Sequence, residues 1–118
     1  MRIFSILFFS AFLFFSCSKK EAKISNTPST EEEAIQVYQQ ALKSLEDGQY
    51  FNARIKFDQS ESLLPQTQWA AKSALMSSYC LYSMNFYDEA VISLKRFIKT
   101  YPADTNVDYA HYLIAISY

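Results

Sequence analysis

The order of apolar and polar positions divides the chain into three stretches. The first, residues 1–16 (MRIFSILFFSAFLFFS), carries one charge at Arg2 and then an uncharged run of thirteen residues from Ile3 to Phe15. A helix that crosses a bilayer needs about 20 apolar residues, so this run is too short for a conventional span. The second stretch, Ser18 to Ser29, is polar and charged, with almost no apolar side chains. Such a segment buries too little surface to offset its ordering entropy, which predicts a flexible tether. Twelve residues of random coil reach about 20 Å on average.

From Thr30 onward the apolar residues take helical spacing, at Ile35, Tyr38, Ala41, Leu42 and Leu45. Thr30 followed by Glu31, Glu32 and Glu33 predicts a capping box, with the Thr30 hydroxyl accepting from an orphan N–H and Glu33 reaching back. Three acids in the first turn also complement the helix dipole. Gly48 predicts the end of this helix, because a left-handed residue is wanted there. A second helix is predicted from about Phe51 to Leu64, stopped by Pro65.

The same order then returns. Tyr50 and Tyr87, Ala53 and Ala90, Phe57 and Leu94, and Pro65 and Pro102 are each 37 residues apart. Asn85 precedes Tyr87 as Gly48 precedes Tyr50, and asparagine also tolerates the left-handed conformation. Ala41, Ser78 and Ala115 carry the spacing into a third round. Several independent positions at one interval predict a repeat architecture. Each unit runs helix, short turn, aromatic, alanine, large apolar residue and proline. That order resembles the tetratricopeptide repeat, in which a small residue lets the second helix approach the first. The usual unit is 34 residues, and the aromatic usual at its eleventh position is replaced here by Ser44 and Leu81, although Tyr118 restores it. The predicted fold is all-α: a tetratricopeptide-like solenoid of about two and a half repeats after a signal peptide and tether. Its divisions are 1–16, 17–29 and 30–118, the last comprising units 30–66, 67–103 and a partial 104–118.

Composition supports the helical reading, since 118 residues contain a single Gly and three Pro, too few for the many turns of an all-β domain. The first stretch has the charged start and apolar middle of a secretory signal peptide. Its end, Phe14-Phe15-Ser16-Cys17, is similar to the cleavage pattern of bacterial lipoproteins, where a small residue precedes the cysteine that is acylated. The other reading is an ordinary secretory signal cut elsewhere, but no nearby position supplies small residues at both −1 and −3. Ser18 stands where an inner-membrane lipoprotein usually has Asp, which favours the outer membrane. Cys80 has no disulfide partner once Cys17 is acylated, and its helical setting predicts a small buried apolar residue.

Catalytic and nucleic-acid functions find no support. Removing residues 1–16, which hold only Arg2, leaves 10 basic side chains against 12 acidic ones, so there is no basic stripe for a phosphate backbone. One Gly cannot build a phosphate loop. His111 is the only histidine and has no nucleophile or metal partner at useful spacing. Asp88-Glu89 and Glu31–Glu33 read as acids of helix first turns rather than an acid/base pair. Neither an enzyme nor a metal protein is expected. No cofactor is implied beyond lipid held covalently at Cys17.

The first helix of each unit lines the concave surface of such solenoids. Helical spacing places Tyr38, Leu42, Lys72, Leu75, Tyr79, Tyr82, Tyr109 and Tyr112 on that side, a candidate groove for extended or aromatic-rich peptides. The alternative for each tyrosine is packing between helices. Trp69, Ala53, Phe57, Ala90, Leu94 and Phe97 are expected in the core.

Several longer stretches resemble the BamD family of outer-membrane β-barrel assembly lipoproteins. They are Pro65-Gln66-Thr67-Gln68-Trp69-Ala70-Ala71, Tyr87-Asp88-Glu89-Ala90, Arg96-Phe97-Ile98-Lys99 with Tyr101-Pro102, and Asn106-Val107-Asp108-Tyr109-Ala110 with His111-Tyr112-Leu113. The resemblance implies a lipid-anchored adaptor on the periplasmic face of the outer membrane. Its implied partners are the β-barrel insertase, other subunits of the assembly complex, unfolded outer-membrane proteins, and membrane lipid through the anchor. A second role compatible with the same repeats is coordination of envelope division or peptidoglycan synthesis in the periplasm. Ala110–Tyr118 reads as the first helix of a third unit and ends on apolar Ile114, Ile116 and Tyr118. An uncovered apolar face predicts that further repeats follow and that the sequence is a fragment.

Overall fold

The computed structural model describes residues 29–118; the expected signal peptide, Cys17 and all of the expected tether but Ser29 lie outside the described residues. Among the described residues there are five helices and no strand: α1 Thr30–Glu46, α2 Tyr50–Leu63, α3 Gln68–Ser83, α4 Tyr87–Thr100 and α5 Val107–Ile116. Each helix packs on the next, and α3 also touches both α1 and α5. This is the nearest-neighbour stacking of a tetratricopeptide-like solenoid.

The capping box of α1 sits one residue earlier than the sequence suggests. The Ser29 hydroxyl accepts from the Glu32 N–H at 3.2 Å, and the Ser29 N–H donates to the Glu32 carboxylate at 3.0 Å. Ser29…Glu32 and Thr30…Glu33 satisfy the same pattern one residue apart, so the run of glutamates leaves the register open.

The two intra-repeat turns are built alike. Gly48 (φ +71°) and Asn85 (φ +64°) both take the left-handed conformation. In the first turn the Gly48 N–H donates to Leu45 O and Gln49 N–H to Ser44 O. In the second the Asn85 N–H donates to Tyr82 O and Phe86 N–H to Leu81 O, the same pairs one repeat on. The left-handed residue lets the chain double back while satisfying carbonyls that a helix end would leave orphaned. A third left-handed residue, Gln66 (φ +65°), was not foreseen. It lies between Pro65, which ends the α2 pattern, and Thr67, whose hydroxyl caps α3 by accepting from the Ala70 N–H at 3.2 Å.

Small residues face neighbouring helices and larger ones fill the gaps. Ala53, Phe57, Ala90, Leu94 and Phe97 are fully buried, as spacing predicts. One core cluster joins Ala41, Ala53, Phe57 and Cys80. The other joins Ala71, Ala74, Leu75, Leu94, Phe97, Ala110 and Leu113 across α3, α4 and α5. Trp69 differs from expectation: it is only partly buried, in the first turn of α3 with its ring edge-on to Tyr38 of α1.

Between helices, hydroxyls replace part of the apolar packing. Ser60 donates to the Ala34 carbonyl at 2.9 Å, Ser73 donates to Ser60 at 3.1 Å, and Ser78 pairs with Ser93 at 2.7 Å. These serines allow close helix approach, and most of the buried hydroxyls among them find a partner, as low dielectric demands. Burial pushes the Cys80 thiol up to about 12, with the nearby Asp58 carboxylate adding to the effect. No thiolate is therefore present near neutrality, and alkylation proceeds through the thiolate. Iodoacetamide at pH 8, followed by peptide mapping, should leave Cys80 unmodified in the folded chain and label it fully in denaturant. Rapid labelling of Cys80 without denaturant would contradict the described packing of α3.

Candidate functional site

Two aromatic groupings account for the residues singled out by spacing. The first joins α3, α4 and α5. Tyr79 and Tyr82, three residues apart on α3, have ring centroids 6.5 Å apart. Tyr109 and Tyr112 repeat that spacing on α5, stacked at 6.2 Å with planes 26° apart. The two pairs converge: burial raises the Tyr109 phenol above its usual range, and the neighbouring Tyr79, Tyr112 and Tyr82 phenols add to the rise. Tyr109 and Tyr112 nevertheless keep 41% and 57% of their surface exposed, so their rings are open to a partner.

Tyr87 belongs to this grouping although spacing did not single it out as a site residue. Its ring lies 5.5 Å from that of Tyr82, and its hydroxyl donates to the Asn85 side chain at 2.8 Å. The signal in the sequence was the left-handed Asn85 two residues earlier, which folds the start of α4 back against the end of α3.

The second grouping lies at the start of the array. The Tyr38 ring meets Phe57 edge-on at 5.4 Å and Trp69 at 5.5 Å. Burial raises the Tyr38 phenol above its usual range. Lys72 holds its ammonium 5.0 Å from the centre of the Trp69 ring, a cation–π contact at the surface. Leu42 is partly buried beside Tyr38 and packs on the core. Leu75 is 5% exposed and belongs to the core cluster. Its neighbours across α4 and α5 close over it, so it supports the groove floor rather than offering contact area.

Helical geometry ties these positions together. At 100° per residue, Lys72, Leu75, Tyr79 and Tyr82 fall on one face of α3, opposite Ser77 and Leu81. The candidate surface is thus one helical face with a cation and an indole at one end and four or five phenols at the other. Such a surface offers ring faces and hydroxyls that both donate and accept. Among the described residues no group of three or more His, Cys, Asp or Glu is placed to hold a metal ion. His111 is exposed on α5.

The YfiO family, described as an outer membrane lipoprotein, matches residues 30–118. Relatives carry the name outer membrane protein assembly factor BamD. The protein from Caulobacter vibrioides is 35% identical over 82 residues, 70% of this chain and 27% of that protein. The protein from Neisseria gonorrhoeae is 31% identical over 94 residues, 80% of this chain and 34% of that protein. The protein from Pasteurella multocida is 23% identical over 117 residues, 99% of this chain and 43% of that protein. The chain therefore spans less than half the length of these relatives.

Proposed function

Since the chain belongs to the YfiO family of outer membrane lipoproteins, we propose that it acts as an adaptor in outer-membrane protein assembly, holding unfolded segments on its tyrosine face. In this reading residues 1–16 are a lipoprotein signal peptide, Cys17 is acylated, and residues 18–29 tether the repeats to the periplasmic face of the outer membrane. The β-barrel insertase and the other subunits of the assembly complex are the partners on the machine's side. The relatives' shared name as assembly factors supports this placement.

The observation that carries the reading is the convergence of Tyr79, Tyr82, Tyr109 and Tyr112 on one open face. Strands of outer-membrane barrels alternate outward apolar with inward polar residues and are rich in aromatics at their ends. Before insertion those apolar side chains need cover. Phenol rings supply rigid apolar area at low entropic cost, and their hydroxyls meet the polar backbone between side chains.

The test uses a labelled peptide copied from one strand of an outer-membrane β-barrel protein and the full chain in mild detergent. Tyr82→Ala with Tyr109→Ala is expected to weaken binding by about thirtyfold or more, since aromatic hot spots are typically worth about 2 kcal/mol or more. Unchanged binding in a variant that keeps its helical circular dichroism would remove the tyrosine face from the proposal. Co-purification of division or peptidoglycan proteins in place of the insertase would favour the other role.

A further inference from the structure

The first and second units are joined through α3, which packs against both α2 and α4. The backbones of α2 and α4 stay apart, and a groove of about 600 Å³ opens between them, with Asp58 and Glu61 on one side and Ile92 and Arg96 on the other. The apolar core is also divided at this seam. Ala41, Ala53, Phe57 and Cys80 form one cluster, while Ala71, Leu94, Phe97 and Leu113 belong to another. Where α2 meets α3, the buried contacts include hydroxyl bonds, from Ser73 to Ser60 at 3.1 Å and from Ser77 to Asp58. Apolar interdigitation, which makes packed cores stiff, is therefore interrupted between the units.

One group of side chains crosses the groove. Arg96 of α4 donates twice to Glu61 of α2, at 2.7 and 2.8 Å, and the Tyr101 hydroxyl donates to the same carboxylate at 3.1 Å. Two parallel N–H···O bonds hold a guanidinium and a carboxylate in one plane, so the pair fixes direction as well as distance. The Glu61 side chain is only 16% exposed, which strengthens the bonds it accepts. Burial, with the Glu61 carboxylate adding to it, pushes the Tyr101 phenol up to about 12, so its hydroxyl remains a donor near neutrality. The Tyr101 ring lies 5.8 Å from that of Phe97 and packs on the cluster that also carries Tyr79 and Tyr82. One residue thus ties α2 to the packing beneath the tyrosine face.

The repeat does not supply this arrangement. Glu61 has Ile98 as its equivalent 37 residues later, while Arg96 and Tyr101 correspond to Gln59 and Leu64 in the first unit. Arg54, the other cation of the groove, also departs from its equivalent, the buried Val91. Its ion-pair partner Asp58, at 3.6 Å, lies four residues on in the same helix, so that pair restrains nothing across the gap. We infer that Glu61, Arg96 and Tyr101 form a clasp that sets the angle between the first and second units, and with it the curvature of the face from Tyr38 on α1 to Tyr109 on α5. Ion pairs near the surface add little to overall stability. A bond that spans a gap between helices not otherwise in contact still selects one angle, because small differences decide among conformations of similar energy.

Spin labels carried on p-acetylphenylalanine in place of Lys43 on α1 and His111 on α5, both exposed, leave the two cysteines untouched. The full chain in mild detergent is then measured by double electron–electron resonance, and wild type should give one narrow distance. Glu61→Met and Arg96→Met should each shift that distance by about 4 Å or more, the travel at the end of a helix about 25 Å long that tilts by about 10°. Arg96→Lys, a point charge in place of the planar fork, should fall between wild type and Arg96→Met. Tyr101→Phe keeps the ring on Phe97 and should give a smaller shift in the same direction, which keeps the test available if Arg96→Met fails to fold. Arg54→Met removes a cation from the same groove and should leave the distance unchanged. Unchanged distances in Glu61→Met and Arg96→Met proteins that keep their helical circular dichroism would overturn the clasp. So would a shift of equal size from Arg54→Met. The distance does not depend on what the tyrosine face binds, so the clasp stands or falls apart from the proposed function.

Discussion

Replacing Phe97 by alanine is expected to lower stability by about 3–5 kcal/mol, the range for removing a fully buried aromatic ring. Phe97 has no exposed surface and lies in the cluster that joins α3, α4 and α5. Its ring also packs 5.8 Å from that of Tyr101. A domain of this size has a total stability on the order of 5–15 kcal/mol, so the loss is a large share of the whole. In a stacked array the damage falls first on the neighbouring unit, and α5 should fray before α1 and α2. Urea unfolding followed by circular dichroism measures the total, and amide exchange locates it. Ile92→Ala, at a position 70% exposed on the same helix, should shift stability by no more than about 0.5 kcal/mol. Equal effects from the two substitutions would mean that α4 presents a different face to the core.

Changing Cys17 to serine is expected to move the protein from the membrane pellet to the supernatant after a carbonate wash. No helix among the described residues is long and apolar enough to cross a membrane. In the proposed function retention rests on acyl chains, each contributing about 0.8 kcal/mol per buried CH₂, and more than one chain is needed for stable anchoring. Serine at the same position keeps size and polarity but offers no thiol for acylation. A Cys17→Ser protein that still resists the wash would place its attachment in the folded repeats or in a bound partner. Measuring both with and without the insertase present separates those two cases.

Much of the fold was legible because it repeats. A 37-residue interval predicted that Asn85 would do what Gly48 does, and both sit at positive φ with the same hydrogen bonds around them. Ala53, Ala90, Phe57 and Leu94 were read as core from the same interval and are fully buried. The positions that escaped are those where a unit departs from its neighbour or where two registers fit equally well. The cap at Ser29 could not be told from one at Thr30. Gln66 gave no sign of its positive φ, because the loop between units is set by how α2 and α3 dock. Trp69 is expected in the core, but its ring lies edge-on to Tyr38 and stays partly exposed.

The candidate tyrosine face was legible only in part. Spacing put Tyr79 and Tyr82 on one side of α3, and the structure brings Tyr109 and Tyr112 beside them there. Spacing cannot tell a residue that lines a surface from one that lies under it, and Leu75 lies under it.

The two units place nearly the same backbone in the same chain twice, which turns each pair of equivalent positions into an internal comparison. Where Arg54 meets Val91, the scaffold is held constant and only the chemistry differs. Exchanging those two residues would transplant the polarity of one seam into the other while keeping composition and net charge. A duplicated architecture can thus change the polarity of one seam by a single residue change, with its sister unit still preserving the original packing.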